Sequence, residues 1–395
     1  MVLVEINTWY MASLKNNLGS PMRAAFVFGR PAAVLLCLLL CCAVAKSQGT
    51  KSQPLRVMFW NVENFFDTRH DTLKSDYEFM PRGTLYWTHR RFEAKRNQIF
   101  KTIVALGEEG GRPYSDALMP ALVGLAEVEN DAVLRELCQG TPMAKYHYQF
   151  VHYESPDVRG IDVALLYRPR CFRVLESKAL CMSDTDQDFR TRDILQVFGV
   201  ASSGDSLVLF VCHFPSKRGG KEAEMRRAAV ARHLMQQMDS ALCMHPTAVV
   251  LAMGDFNATP QELAQYVPPG LLGDAEAPIF ATQADSATPN NPNFVNLMSM
   301  LPSDEGSYFY QGRWSYIDQF IISRNALQTC NVGNGTQTSL HLEGNAAHVF
   351  RTRSLLMEDK RHLGQKPRRT YQGPRYNGGA SDHLPIYLTL VANPG

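Results

Sequence analysis

Seven polar residues stand at the ends of short apolar runs. Asn61 follows Val57–Trp60, Glu127 follows Leu122–Ala126, His213 follows Leu207–Val211, Asp255 and Asn257 follow Ala248–Met253, and Asp382 and His383 precede Leu384–Leu390. Hydrolysis of a phosphoester requires a carboxylate-held cation, a base for water and an acid for the leaving oxygen. This set offers candidates for all three. A hard cation such as Mg²⁺ or Mn²⁺ keeps some of its waters and needs few carboxylates. Glu127 with Asp382 suffices, and Asn61 can hold a phosphate oxygen or a water on the metal. A lone strand-end carboxylate is more often a cap or a surface charge; it is the company of the other six that argues for chemistry.

Of eleven histidines, only His213 and His383 adjoin both a strand-like run and a charged loop. Histidine can take or give a proton near neutral pH, and each ring needs a carboxylate behind it to fix its tautomer. Asp318, embedded in Tyr316–Ser323, and Asp162, just before Val163–Tyr167, are charges whose burial is costly without a partner. A structural salt bridge is the competing reading for each. In the string Gly254–Pro260, Asp255 and Asn257 are two apart and face the same way on an extended segment. Lys217 and Arg218, in the glycine-ended loop Phe214–Gly220, are candidate phosphate contacts. So are Arg159 and Arg226, with solvated surface charge as the alternative.

These residues need rigid carriers. Val57–Trp60, Leu122–Leu125, Val163–Tyr167, Leu207–Val211, Ala248–Met253, Ile317–Ile322 and Ile386–Leu390 are apolar on both parities, which suits strands covered on both faces. Between them, Thr88–Leu106 carries Phe92, Ile99, Ile103 and Leu106 at helical spacing and stops at Gly107. Lys221–Leu242 does so with Met225, Ala228, Ala229, Leu234, Met235, Met238 and Leu242. Asn130 is placed to cap a helix bearing Val133, Leu134 and Leu137. Alternating strands and helices give an α/β architecture. No linker divides it, so residues 55–391 are expected to form a single domain. The connections 68–88, 265–306 and 329–380 are long enough to shape a site.

The segment Pro31–Ala45 is uncharged, follows Arg23 and Arg30, and ends in Ala43-Val44-Ala45, the pattern of a secretory signal and too short for a membrane span. Residues 1–45 are expected to be removed, with Met22 a candidate start, leaving 46–54 as a short extension. Removal takes Lys15, Arg23 and Arg30 against Glu5, leaving 37 basic and 37 acidic residues. That balance excludes a globally basic nucleic-acid binder, so attraction to phosphate must be local. Six cysteines remain, widely spaced and without a C-x-x-C zinc or redox signature.

The strings Phe59–Asn64, Gly124–Glu129, Arg159–Ala164, His213, Gly254–Asn257, Tyr316–Asp318 and Ser381–His383 resemble, in order, those of the endonuclease/exonuclease/phosphatase superfamily, the deoxyribonuclease I-like proteins. The exported bacterial members are the nearest in pattern. The resemblance implies a four-layered α/β sandwich of two packed mixed β-sheets flanked by helices. It implies that Glu127 is the principal metal ligand with Asn61 and Asp382 nearby, and that Glu63 contributes to a second metal position. It makes His383, oriented by Asp318, the base for water. His213, backed by Asp162, becomes the acid or phosphate stabiliser, and Asp255 with Asn257 positions nucleophile and phosphate.

Substrate is not fixed by fold. A nuclease is the first expectation, with nucleic acid as substrate and a monomer without a stable membrane anchor, periplasmic or secreted. Residues 351–375 hold eight basic residues against Glu358 and Asp359, and Tyr371 and Tyr376 are placed to stack on bases. A phospholipid or sphingolipid phosphodiesterase is the alternative, using the aromatic segment Tyr308–Tyr316. Its Gln311-Gly312 centre, however, suggests a hairpin with cross-strand aromatic packing. A phosphomonoesterase is a further alternative, and a non-catalytic binding module is disfavoured because no catalytic position is missing.

Overall fold

All seven apolar runs are strands in the computed structural model, which describes residues 53–107, 118–182, 190–273, 293–327 and 338–392. The expected signal segment, most of the short extension and Cys330 lie outside the described residues. One sheet runs, edge to edge, Leu340–Val349, Ile386–Ala392, Leu55–Phe65, Leu122–Val128, Asp162–Tyr167, Gln149–His152. The other runs Phe172–Leu180, Ile194–Ala201, Ser206–His213, Val249–Asp255, Asp318–Ser323, Phe294–Asn296, Leu272–Gly273. Both are mixed. Leu55–Phe65 pairs in parallel with Leu122–Val128, as Ser206–His213 does with Val249–Asp255, among mostly antiparallel neighbours.

Alternation along the central strands sorts side chains into three cores. Val57 and Phe59 face Leu207, Leu209, Val211, Leu251 and Met253 of the other sheet, while Ile386, Leu388 and Leu390 join them. Their neighbours Met58, Trp60 and Tyr387 point the opposite way, against the helix His89–Leu106 and the helix Asp131–Cys138. Val208, Phe210, Cys212, Val250 and Ala252 point outward from the second sheet onto the helix Gly220–Met244. Helix, sheet, sheet and helix make four layers. Each large apolar side chain buried this way contributes roughly 1.5–3 kcal/mol before conformational entropy is charged against it.

Local signals act as read. Asn130 Oδ1 accepts from the backbone N–H groups of Ala132 and Val133, and Gly107 ends the long helix of the first layer. In the helix Gly220–Met244 the expected apolar stripe is rotated. Met225 is exposed, and Val230 and Ala231 are buried with Leu234, Met235 and Met238. The segment Tyr308–Tyr310 pairs with Arg313–Ser315 as a hairpin, and Phe309 packs edge-on against Trp314 at 5.1 Å. Cys138 and Cys212 are buried thiols, and among the described residues no helix is long and apolar enough to cross a membrane.

Candidate active site

The first sheet supplies Asn61 and Glu127 from adjacent parallel strands. Their pairing register shifts between Asn61 and Phe65, and that of Leu122–Val128 with its other neighbour shifts between Ala126 and Val128. Glu127 therefore sits in a bulge, with φ of 63°, and Glu63 and Asn64 opposite it are at 49° and 55°. Positive φ at a glutamate costs energy and needs fixed partners. Asn64 N donates to Glu127 Oε2 at 2.8 Å, and Asn61 Nδ2 to Glu127 Oε1 at 3.2 Å. The bulge re-aims the carboxylate, which is the usual service of such a defect beside a site.

Three neighbouring strands of the second sheet bring His213, Asp255 and Asp318 into line, since His213 pairs with Asp255 and Asp255 with Asp318 in the registers. Asn61 Nδ2 also donates to Asp255 Oδ2 at 3.1 Å, joining the two sheets at this point. Asn257 lies just past the strand end at φ 45°, its N–H donating to Asp255 Oδ1 (2.9 Å) and its amide to the Phe214 carbonyl (3.1 Å). His213 Nε2 stands 3.8 Å from Glu127 Oε1 and 3.7 Å from Asp255 Oδ2.

His383 arrives on the turn before the last strand. Its Nδ1 is 2.8 Å from Asp318 Oδ2, which also accepts from Ser307 Oγ at 2.5 Å. Ser381 Oγ accepts from His383 N and donates to the Asn61 carbonyl, and Trp60 Nε1 donates to the His383 carbonyl, so the corner is tied to the first sheet. The free Nε2 is 3.8 Å from Asp255 Oδ2 and 3.9 Å from Asp382 Oδ1.

The two histidines are pushed in opposite directions. Burial disfavours the charged form of both rings. For His383 the opposing pull of Asp318, then Asp255 and Asp382, prevails and holds it well above the usual histidine range. For His213 burial comes first and is reinforced by Arg192, Arg159 and His383, holding it well below that range. His213 is thus a neutral imidazole, and its Nδ1 finds no hydrogen-bond partner among the described residues. Burial, with Asp318 beside it, pushes Asp255 up to about 7.

Lys95, which belongs to none of the motifs, lies in the same cluster. Its Nζ is buried and donates to Thr370 Oγ1 (2.5 Å) and the Ala380 carbonyl (2.8 Å), within electrostatic reach of Glu63, Asp382 and Glu127. Burial lowers it to about 8. A lysine between Phe92 and Ile99 on the apolar face of a helix was the available signal. Glu63 accepts from Arg369 Nε (3.1 Å) and Thr370 N (2.6 Å), and burial, with Asp382 next, pushes it up to about 7. Both of its oxygens thus already accept a hydrogen bond. Arg369 also reaches Asp382 Oδ2 at 3.1 Å.

Of the remaining candidates, Lys217 pairs with Glu262 at 2.6 Å, and Arg226 with Glu222 at 2.7 Å. Arg159, Arg218 and Arg226 line one cavity beside the His213 loop. Asp162 is not brought to His213. Its Oδ1 accepts from Ser155 N and Ser155 Oγ, and Oδ2 lies 3.5 Å from His152 Nε2. The tight turn that follows Ser155 captures this carboxylate before it can reach the second sheet. Tyr371 is also unavailable for base stacking, being buried against Trp87 and Tyr376.

The donor set suits a hard divalent cation. Glu127 and Asp255 offer carboxylate oxygens at the Asn61 amide and Asp382 a further one across His383 Nε2, with Lys95, Arg369 and His383 as cationic neighbours.

A family model described as the endonuclease/exonuclease/phosphatase family matches residues 56–392. Among solved structures, a D. rerio TDP2 humanized by 14 mutations is 17% identical over 86% of this chain and 99% of its own, with a TM-score of 0.50. A Bacteroides thetaiotaomicron endonuclease/exonuclease/phosphatase family protein is 14% identical over 87% and 100%, also at 0.50. The B. thetaiotaomicron mannosyl-6-phosphatase Bt3783 is 15% identical over 85% and 99%, at 0.49. At these identities the first two likenesses speak to fold. No curated protein matches significantly in sequence.

Proposed function

The chain belongs to the endonuclease/exonuclease/phosphatase family, and from that premise we propose that it is an exported, divalent-metal-dependent phosphoester hydrolase that cleaves polynucleotide phosphodiesters by attack of water. The observation that carries the reading is the meeting, at one end of the sandwich, of the His383–Asp318 pair with Asp255, Asn257, Asn61 and Glu127. Hydrolysis needs these residue types in this proximity, whereas a purely structural polar cluster has no need of an imidazole Nε2 left open.

The roles follow from the geometry. Asp318 accepts from His383 Nδ1, which leaves Nε2 to take a proton from water or return one to a phosphoryl oxygen. Glu127, Asp382 and Asn61 would hold Mg²⁺ or Mn²⁺, which supplies Lewis acidity and offsets the carboxylate charge that keeps His383 protonated. Asp255, hydrogen-bonded to Asn61 and to Asn257 N, is positioned to orient the nucleophile, and the Asn257 amide to hold a phosphoryl oxygen. His213, neutral, serves as a hydrogen-bond donor to the phosphoryl group rather than as a charged acid. The uncharged run Pro31–Ala45 with its Ala43-Val44-Ala45 end supports export.

The polynucleotide reading is favoured over a lipid one by the hairpin Tyr308–Ser315, where Phe309 packs on Trp314 and His362 and Tyr308 on His383, so that Tyr310 alone of its four aromatic residues is exposed. Incubation with supercoiled plasmid and Mg²⁺ tests it, with EDTA and His383→Ala as controls and RNA, phospholipid and sugar phosphates as parallel substrates. Metal-dependent nicking, lost in both controls, is expected. An intact plasmid with turnover of one of the other substrates would reject the nuclease and keep the hydrolase.

A further inference from the structure

Beside the catalytic centre lies a second concentration of positive charge that the reaction above does not use. Arg159, Arg190, Arg192, Arg218 and Arg226 line a cavity of about 300 Å³, at the lower end of the range for small-ligand sites. Carboxylates answer only part of this charge. Arg192 donates to Asp157 Oδ2 at 3.2 Å, Arg159 lies 3.8 Å from Asp157, and Arg226 pairs with Glu222. Among the described residues Arg190 and Arg218 make no ion pair. Arg192 is buried on the cavity wall, where a charge that cannot be shed is costly unless offset.

The cavity is joined to the centre. Arg192 Nη2 donates at 2.5 Å to the Phe214 carbonyl, which also accepts from the Asn257 amide, and Phe214 follows His213 directly. Arg218 and Ser216 are shared with an adjoining cavity of about 380 Å³ that contains Asn257, Tyr308 and Tyr310. An extended substrate with its scissile phosphate at Asn257 can therefore pass along this wall into the arginines.

We propose that the arginine cavity is a subsite for a second phosphate of the substrate, so that polyphosphorylated esters are preferred over isolated phosphoesters. The inference rests on the hydrolase reading and narrows it. Forked guanidiniums suit phosphate oxygens pairwise, and a dianion would answer the charges of Arg190 and Arg218 on the cavity wall.

Two substrate pairs test it and separate the sources of the second phosphate. One is a thymidine dinucleotide with and without a terminal phosphate at either end; the other is a hexose monophosphate and its bisphosphate. With Mg²⁺, the added phosphate is expected to lower KM about tenfold in one pair, and Arg190→Gln/Arg218→Gln is expected to close that gap. A merely structural role would shift every substrate alike and leave the gap open. Turnover without a KM preference in either pair would overturn the subsite. Should neither pair nor any substrate of the plasmid, RNA, phospholipid and sugar-phosphate series be turned over, the hydrolase reading fails and calorimetry with inorganic phosphate at low salt decides the cavity. Binding that the double variant loses, with its far-ultraviolet spectrum and Tm preserved, supports an anion site; equal or absent binding in both proteins overturns it.

Discussion

His383 and His213 are both buried within 4 Å of Asp255, yet one is held charged and the other neutral. The difference lies in what stands behind each ring: Asp318 for His383, the arginines Arg192 and Arg159 for His213. Removing the ring or its carboxylate should therefore be costly in rate and cheap in fold. His383→Ala and Glu127→Gln are expected to lower kcat by about 10²–10⁴, the usual worth of positioned proton transfer and charge stabilisation, with unchanged circular dichroism. Near-wild-type turnover in both would overturn the assignment. A second prediction concerns stability. Burial pushes the Glu129 carboxyl up to about 8 from 4.5, against the N–H of Asp67 that donates to it at 2.6 Å. A raised folded-state pKa gives stability that is complete below the unfolded value and lost as pH rises through the folded one. Tm should thus fall between pH 5 and pH 8.5, and Glu129→Gln should flatten that fall; an unaltered slope would show that the carboxyl is ionised throughout. The His383–Asp318 pair was legible in sequence because a charge inside an apolar run announces a partner. Asp162 misled for the same reason, since its actual partner, Ser155, is seven residues away in a turn the pattern did not display.

At the scale of elements, the site depends on close approach of strands. A Cβ on Gly254 would lie 2.5 Å from the Cys212 carbonyl and 2.7 Å from Cys212 Cβ, on the strand that ends in His213. Backbone cannot yield as a flexible side chain can. Gly254→Ala is expected to cost about 1–3 kcal/mol and to separate His213 from Asp255, lowering Tm by several degrees and activity with it. Thermal unfolding beside a rate measurement checks this; unchanged Tm would show slack between the strands. The same elements explain what sequence disclosed. Strands buried on both faces read as unbroken apolar runs, and all seven were recognisable. Phe172–Leu180, with Arg173, Glu176 and Lys178 exposed or half-exposed along an edge, and Gln149–His152 carry no such run. The bulge at Glu127 left no mark either, because nothing in Leu-Ala-Glu-Val announces positive φ at a glutamate. Lys95 is a single charge among the apolar positions of its helix, and spacing alone does not distinguish it from a solvated lysine.

Over residues 46–395, a balance of 37 basic against 37 acidic residues conceals a sharp local pattern. The acidic centre of Glu63, Glu127, Asp255 and Asp382 is flanked by the arginine cavity on one side. The basic segment 351–375 borders it too, since Arg361, Lys366 and Arg369 line a cavity of about 220 Å³ with Asp382. Removing metal with EDTA should abolish turnover reversibly, and full activity in EDTA would refute the metal-dependent reading. The basic segment is less free than its composition implied. Arg369 is held by Glu63 and Asp382, Lys366 and His362 by Asp359, and Arg351 lies over Trp314. Lys360, Arg361 and Arg375 remain exposed, as do Arg353 and Arg368, and are able to follow a phosphate backbone. Each such contact releases counterions, so that log K falls with log salt by about 0.9 per phosphate on duplex DNA. Changing Lys360, Arg361 and Arg375 to Ser should therefore flatten the salt dependence of duplex binding, measured in EDTA to prevent cleavage, by about 2–3. Arg369→Ser should act differently, disturbing Glu63 and Asp382 and so turnover more than the slope. An unchanged slope in the triple variant would make these three residues bystanders to binding, leaving the polyanion to the arginine cavity and the rest of the segment.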